Sequence, residues 1–264
     1  MPRNLPDAPA VHLPHLGHEV RLGKLKTKKD KRNLKLARYV DKKTLATLPA
    51  KVDRHLKVPS WPMYDNDSLG DCTVAAAGHM EQQWSIETTP ETPPNDLVVG
   101  TYWATGSQDD GRYCLDVLNR WHKYGLGRNG SDEKIGAFAE LNLKLLNHFK
   151  YAIYEFGGAY IGLALPISAQ RQTVWKRTTG PNAAPGSWGG HCVPLVGYDR
   201  YGAWLVTWGG IMKATWGFLN YYCDEAYAVI SPDWFNAAQE SPADAGSFKI
   251  DQLTADLGAL KAAA

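Results

Sequence analysis

One cysteine, one distant histidine and one nearby amide constrain this chain more than any other feature. Asn66-Asp67-Ser68-Leu69-Gly70-Asp71-Cys72 ends where a helix-like run begins, and Gly189-Gly190-His191 stands 119 residues after the cysteine, at the start of a β-like segment. A thiol nucleophile needs a group to take its proton and donors to hold a developing oxyanion. For these residues to be partners, the fold must set the first turn of a helix against the start of a strand.

The pattern along the chain supplies both elements. From Cys72 to about Glu87 the apolar residues Val74, Ala77, Met80 and Trp84 recur at helical steps, with Asp71 as the expected N-cap. Further helices are expected over 95–104, 112–124 and Leu143–Phe156, and Ser131 is read as the cap of a short one. The character then changes. Ala159–Leu165, His191–Tyr198, Ala203–Trp208 and Ala226–Ile230 read as strands, with Asp199-Arg200-Tyr201-Gly202 as a hairpin turn. Helices first and antiparallel strands second predict an α+β protein of two lobes, helical over about 65–157 and β over about 158–238. Residues 239–264 read as a polar tail with a late helix around Ile250–Leu260.

Charge is divided unevenly. Residues 1–60 carry 15 Lys and Arg against 5 Asp and Glu, whereas the remainder carries 14 against 22. Residues 1–20 read as an extended arm rich in Pro and His, residues 21–47 show weak helical periodicity around Leu34, Leu36 and Tyr39, and Pro49, Pro59 and Pro62 make 48–64 an extended connector. The basic run from Arg21 to Arg32 has two readings. It binds nucleic acid or another anionic partner, or it packs on the chain's own acidic body. The second is favoured, because no aromatic residue interleaves the run before Tyr39.

The four cysteines, Cys72, Cys114, Cys192 and Cys223, show neither a disulfide framework nor a CxxC metal spacing. No signal-like or membrane-spanning apolar run is found, so the expected setting is cytoplasmic and reducing, with no membrane partner. No metal or organic cofactor is implied. Gly125-Leu126-Gly127-Arg128-Asn129-Gly130 matches GxGxxG but follows a helix rather than a strand, which removes the nucleotide reading. His79 lies two helical turns after Cys72 without further ligands. Cys192 is expected on the strand face opposite His191, in the core. Asp224 and Glu225 read as a turn residue and a solvated face.

At the first turn of a helix, Cys72 is expected to have a lowered pKa, and pairing with His191 would lower it further into a thiolate–imidazolium pair. Gly189-Gly190 would let a substrate pass close to His191. The Cys72 backbone N–H and the Asn66 side-chain amide would bind the oxyanion.

Leu48-Pro49-Ala50-Lys51-Val52-Asp53-Arg54 followed by Asn66–Cys72 resembles the start of the mature domain of papain-like cysteine peptidases, with its Leu-Pro-x-x-Val-Asp-Trp-Arg and Gln-Gly-Ser-Cys-Gly-Ser-Cys-Trp motifs. His191-Cys192-Val193-Pro194-Leu195-Val196-Gly197-Tyr198 resembles that family's His strand, and Trp204–Gly209 a shortened form of its Trp-x-x-Lys-Asn-Ser-Trp-Gly segment. The pattern is also similar to papain-like proteins of bacteria and tailed phages, which share Asn-Asp-x-x-Gly-Asp-Cys-Thr and Tyr-x-Asp-Glu-Ala-Tyr. The resemblance implies a two-lobed papain-like fold over 48–238. It also implies a hydrolase acting on peptide or isopeptide bonds, with Cys72 as nucleophile, His191 as general acid/base and Asn66 as oxyanion donor. Residues 1–47 stand where the family carries a propeptide, which covers the cleft until displaced; otherwise they are a permanent arm. Asn66 replaces the family's Gln, Leu69 a disulfide cysteine, and Thr207 the Asn that orients the imidazole. Thr207 is expected to be a weak orienter because its side chain is shorter. The alternative reading is a non-catalytic papain-fold module, such as a phage virion component, with the basic arm holding an assembly partner.

Overall fold

In the computed structural model, residues 10–131 and 133–235 are described, together with positions 252, 253, 255, 256 and 259. The stretch expected as an extended arm contains a small hairpin, β1 (Val11–Leu13) and β2 (His18–Val20), whose inner residues Leu13 and Val20 are buried. A single 3-10 turn at Leu36–Arg38 and a short helix α1 (Lys42–Ala46) are all that the weak periodicity of residues 21–47 yields.

Four longer helices follow: α2 (Cys72–Ser85), α3 (Asn95–Ala104), α4 (Cys114–Tyr124) and α5 (Leu146–Glu155). Helix α2 is buried on every side from Cys72 to Trp84, because it lies between the sheet and the other helices. Three of its polar residues find partners outside the helix, whereas both side-chain polar atoms of Gln83 are buried without one. A ring nitrogen of His79 lies 2.8 Å from the Pro62 carbonyl, Gln82 donates to the Ser60 carbonyl, and Trp121 donates to Glu81 at 2.8 Å.

The sheet has seven strands: β3 (Ala137–Glu140), β4 (Ala159–Leu165), β5 (Val174–Trp175), β6 (Gly189–Tyr198), β7 (Gly202–Thr207), β8 (Gly210–Thr215) and β9 (Cys223–Ile230). Their order is β3-β9-β4-β6-β7-β8-β5, antiparallel except for β5 beside β8. A last helix, α6 (Trp216–Tyr222), joins β8 to β9, capped by the Thr215 hydroxyl. Strands β4, β6 and β9 form the buried centre, with Ile161, Val193 and Ala228 fully enclosed.

This is an α+β papain-like fold, with differences from expectation that have physical reasons. Strand β3 lies within the helical half of the sequence yet pairs with β9, a contact across about ninety residues that no local pattern encodes. Among the described residues no helix begins at Ser131; Gly125 ends α4 at φ 76°, and residues 133–136 are non-helical up to β3. In the tail, the described positions Gln252, Leu253, Ala255, Asp256 and Ala259 are helical, and the rest of the helix expected there lies outside the described residues. No helix among the described residues is long and apolar enough to cross a membrane.

Candidate active site

Cys72 is the first residue of α2 and is 1% exposed. Asp71 occupies the N-cap position, but its side chain does not cap: the backbone carbonyl accepts from Val74 and Ala75, while the carboxyl is buried. Burial raises the Asp71 pKa well above its ordinary value, against the pull of the neighbouring Asn66 amide. Asn66 is itself buried, and its side-chain amide donates to the Leu69 carbonyl at 3.2 Å. The loop enters through Tyr64 and Asp65, both at positive φ, and the Asp65 carbonyl accepts from the Ser68 and Leu69 amides.

His191 sits on β6, which packs against α2. Its Nε2 lies 2.7 Å from the Thr207 hydroxyl, and both groups are buried. The shorter threonine therefore reaches the ring after all. The hairpin explains how: Trp208 and Gly209, both at positive φ (47° and 73°), form the two-residue turn between β7 and β8 and bring the end of β7 against the histidine. A left-handed backbone is costly for a bulky residue, and here it lays the Trp208 indole flat over the imidazole, with centroids 4.5 Å apart and planes 18° from parallel. Trp188 packs against that indole in turn, with ring centroids 5.6 Å apart. The His191–Thr207 bond is thus covered by an aromatic wall. The opposite ring nitrogen, Nδ1, is buried and makes no hydrogen bond, so imidazole and thiol are not joined by one.

Residues 21–25 run across this groove, between the Asn66–Gly70 loop and β6. Arg21 N–H donates to the Asn66 carbonyl and the Trp208 indole N–H donates to the Arg21 carbonyl, each at 3.1 Å. Lys24 N–H donates to the Gly190 carbonyl at 3.1 Å, and Arg112 pairs with the segment twice, donating to the Gly23 carbonyl and accepting from Leu25. The approach is close enough to demand glycine. A Cβ on Gly23 would lie 1.7 Å from the Gly70 carbonyl oxygen, and one on Gly190 would lie 2.1 Å from the Lys24 carbonyl oxygen. What passes beside His191 is the chain's own N-terminal segment. Its charges are spent internally: Arg21 on Asp109, Lys24 on Asp224 and Glu225, Lys28 on Asp116 and Lys35 on Glu140.

Covered in this way, the site is electrically silent. Burial pushes the Cys72 thiol up to about 12, outweighing the backbone amides of Cys192 and Gly23 that face it, and burial pushes His191 down to about 3. The lowered thiol pKa expected from the helix terminus and the histidine is reversed, because dehydration penalises both charged forms more than one helix end favours them. In this form the pair is a neutral thiol and a neutral imidazole.

Other side chains fall differently from expectation. Cys192 is in the core, as its strand face predicts, and His79 is a core histidine packed near Trp61 and Tyr64. Neither Asp224 nor Glu225 is a turn residue: both lie on β9 and meet the Lys24 ammonium, Glu225 buried and Asp224 on the solvent side. The roles of Trp208, Asp109 and Arg112 were not read from the sequence. The strand expected over Ala203–Trp208 runs through the first turn residue, so the turn gave no signal, and Asp109 and Arg112 carry none.

The fold is the papain-like one. Among solved structures, the chain resembles xylellain, a cysteine protease from Xylella fastidiosa, at TM-score 0.64 and 17% identity, covering 81% of this chain and 97% of that one. It also resembles proCathepsin B S9 from Trypanosoma congolense (TM-score 0.56, 14% identity, 80% and 86% of the two chains) and digestive procathepsin L 3 of Tenebrio molitor larval midgut (0.54, 13%, 77% and 75%). No protein-family model and no curated protein matches the sequence.

Proposed function

We propose that the chain is a papain-like cysteine peptidase held latent by residues 21–25 of its own N-terminal arm, with 48–238 as the peptidase unit. The observation that carries this reading is the His191–Thr207 pair under Trp208, on the strand packed against the helix that Cys72 begins. With Nε2–H donated to Thr207, the unpartnered Nδ1 keeps the lone pair that accepts the thiol proton. The thiolate sulfur attacks the carbonyl carbon of a peptide bond, and the oxyanion is held by the Cys72 N–H and the Asn66 amide. The intermediate collapses as His191 returns its proton to the leaving amine, and water then hydrolyses the thioester. Two of the similar structures are precursor forms by name, in keeping with a covered cleft here.

Gly23→Val in the full-length chain tests the reading, since the added side chain has no room against Gly70. With the segment expelled, water returns to the groove. The thiol pKa falls and the histidine pKa rises, so that iodoacetamide labels Cys72 well below the unperturbed thiol pKa of about 8.5. His191→Ala in the same background removes that labelling. Equal labelling of Cys72 and Cys223 across pH in the Gly23→Val chain sinks the catalytic reading. It leaves the papain-fold assembly module, for instance a phage virion component, which the replacement of Asn by Thr207 favours.

A further inference from the structure

The Lys24 side chain is the most enclosed cation of the arm, with 1% of it exposed, and its surroundings are built for it. Its ammonium lies 3.0 Å from Asp224 and 3.1 Å from Glu225. Neighbours on a regular strand point to opposite faces, so two successive carboxylates should not reach one ammonium. A β-bulge explains it. Strand β4 pairs Gly162 with Glu225 and Leu163 with Cys223, leaving Asp224 as the extra residue of β9 and turning both acids to the same side. Tyr227 donates to the second oxygen of Glu225 at 3.0 Å and fixes that carboxylate from behind. Gly162 provides the space: a Cβ there would stand 2.1 Å from the Lys24 Cε and 2.6 Å from the Glu225 Cγ. A glycine floor, a bulge and a tyrosine-held carboxylate together make a receptor for a long basic side chain. A merely buried lysine needs none of the three.

We infer that this pocket is the specificity pocket of the cleft, selecting peptides with lysine or arginine at the position that lies beside Gly162, and that Lys24 occupies it in place of such a substrate residue. This rests on the reading that the cleft binds peptides. Glu225 is 4% exposed at its side chain, so a pocket vacated by Lys24 holds a desolvated carboxylate, which a neutral side chain would leave unpaired.

The test uses the full-length chain carrying Lys24→Glu, which cannot seat a third carboxylate beside Asp224 and Glu225 and so vacates the pocket. Binding is measured with Cys72→Ala added, by fluorescence anisotropy of a labelled peptide copying residues 19–27 and of the same peptide with norleucine in place of the lysine that corresponds to Lys24. The lysine peptide should bind at least tenfold tighter. Glu225→Gln should abolish the difference, and Asp224→Asn, at a half-exposed position less exposed to folding damage, should reduce it. Equal binding of the two peptides, or no binding of the lysine peptide, overturns the pocket. Turnover is read separately, with Cys72 intact, on a peptide library varied at one position. Lysine-selective binding without hydrolysis removes the peptidase reading and leaves the pocket standing. Hydrolysis indifferent to lysine and arginine removes the pocket and leaves the peptidase.

Discussion

The N-terminal arm is held to the body in two different ways within twenty residues. Residues 21–25 lie in the groove through backbone hydrogen bonds, a glycine contact and one buried ammonium, with Leu22 as their one side chain in the main hydrophobic core. Residues 34–40 instead contribute Leu34, Leu36, Tyr39 and Val40 to the main hydrophobic core, the cluster that also contains Ile161, Val193 and Leu205. Apolar burial is long-lived and does not depend on partners in solution, whereas backbone bonds in a groove are the kind a peptide can replace. The question of propeptide or permanent arm therefore divides along the chain. The second part is structural framework, and the first is the part that competes with substrate.

Substitutions can break or sharpen that comparison. Leu36→Ala should have the largest effect on stability, about 2–5 kcal/mol, as for other fully buried leucines, read by urea denaturation. Gly23→Val should cost less than Leu36→Ala in the same measurement while exposing the thiol; the reverse order would mean that the groove segment, not 34–40, anchors the arm. Next comes Thr207→Val in the Gly23→Val background. It strips the buried His191 nitrogen of its partner, a loss of about 1–3 kcal/mol, or roughly ten- to hundredfold in labelling rate at neutral pH. Thr207→Asn should restore the rate, and a Thr207→Val chain that labels at the parent rate would remove Thr207 as a positioning residue.

A further test concerns the body rather than the arm. Burial raises the Glu81 carboxyl to about 8, so between about 4.5 and 8 the folded state binds more protons than the unfolded one, and this group costs stability as pH rises through that window. Glu81→Gln keeps an acceptor for Trp121. Its Tm should gain on the parent as pH goes from about 5 to about 9, and parallel Tm curves would show that Glu81 ionises elsewhere than in the core.

Elements with strong local patterns were legible. Helix α2 begins at Cys72 as its apolar steps predict, and β4 spans the predicted Ala159–Leu165. Strands β3 and β8 were not read, because four residues of Ala-Phe-Ala-Glu and the mixed Gly-Ile-Met-Lys-Ala-Thr acquire strand character only from their partners. The turn between β7 and β8 was hidden for a related reason, since its first residue is a tryptophan where turn chemistry favours asparagine or glycine. Of the candidate site, Cys72, Asn66, His191 and Thr207 could be named from motif spacing. Their electrical state could not, because it depends on what covers them. Nothing in Arg21–Leu25 indicates where that segment lies, although the paired Gly189-Gly190 was visible as a place where another chain passes close to His191.

The groove segment is also a strap pinned on both sides, by Leu13 and Val20 of the first hairpin and by Leu34 onward. In polymer terms it is a tethered loop, and lifting it releases neither end. Each residue of the loop that leaves its seat regains about 1–2 kcal/mol of backbone freedom, so the strap is an entropic spring pulling against its own hydrogen bonds. A single cut between Lys26 and Asn33 would slacken that spring without discarding the strap. The cover is therefore recoverable: it can lift for one encounter and return, its local concentration set by the tether rather than by the surrounding solution.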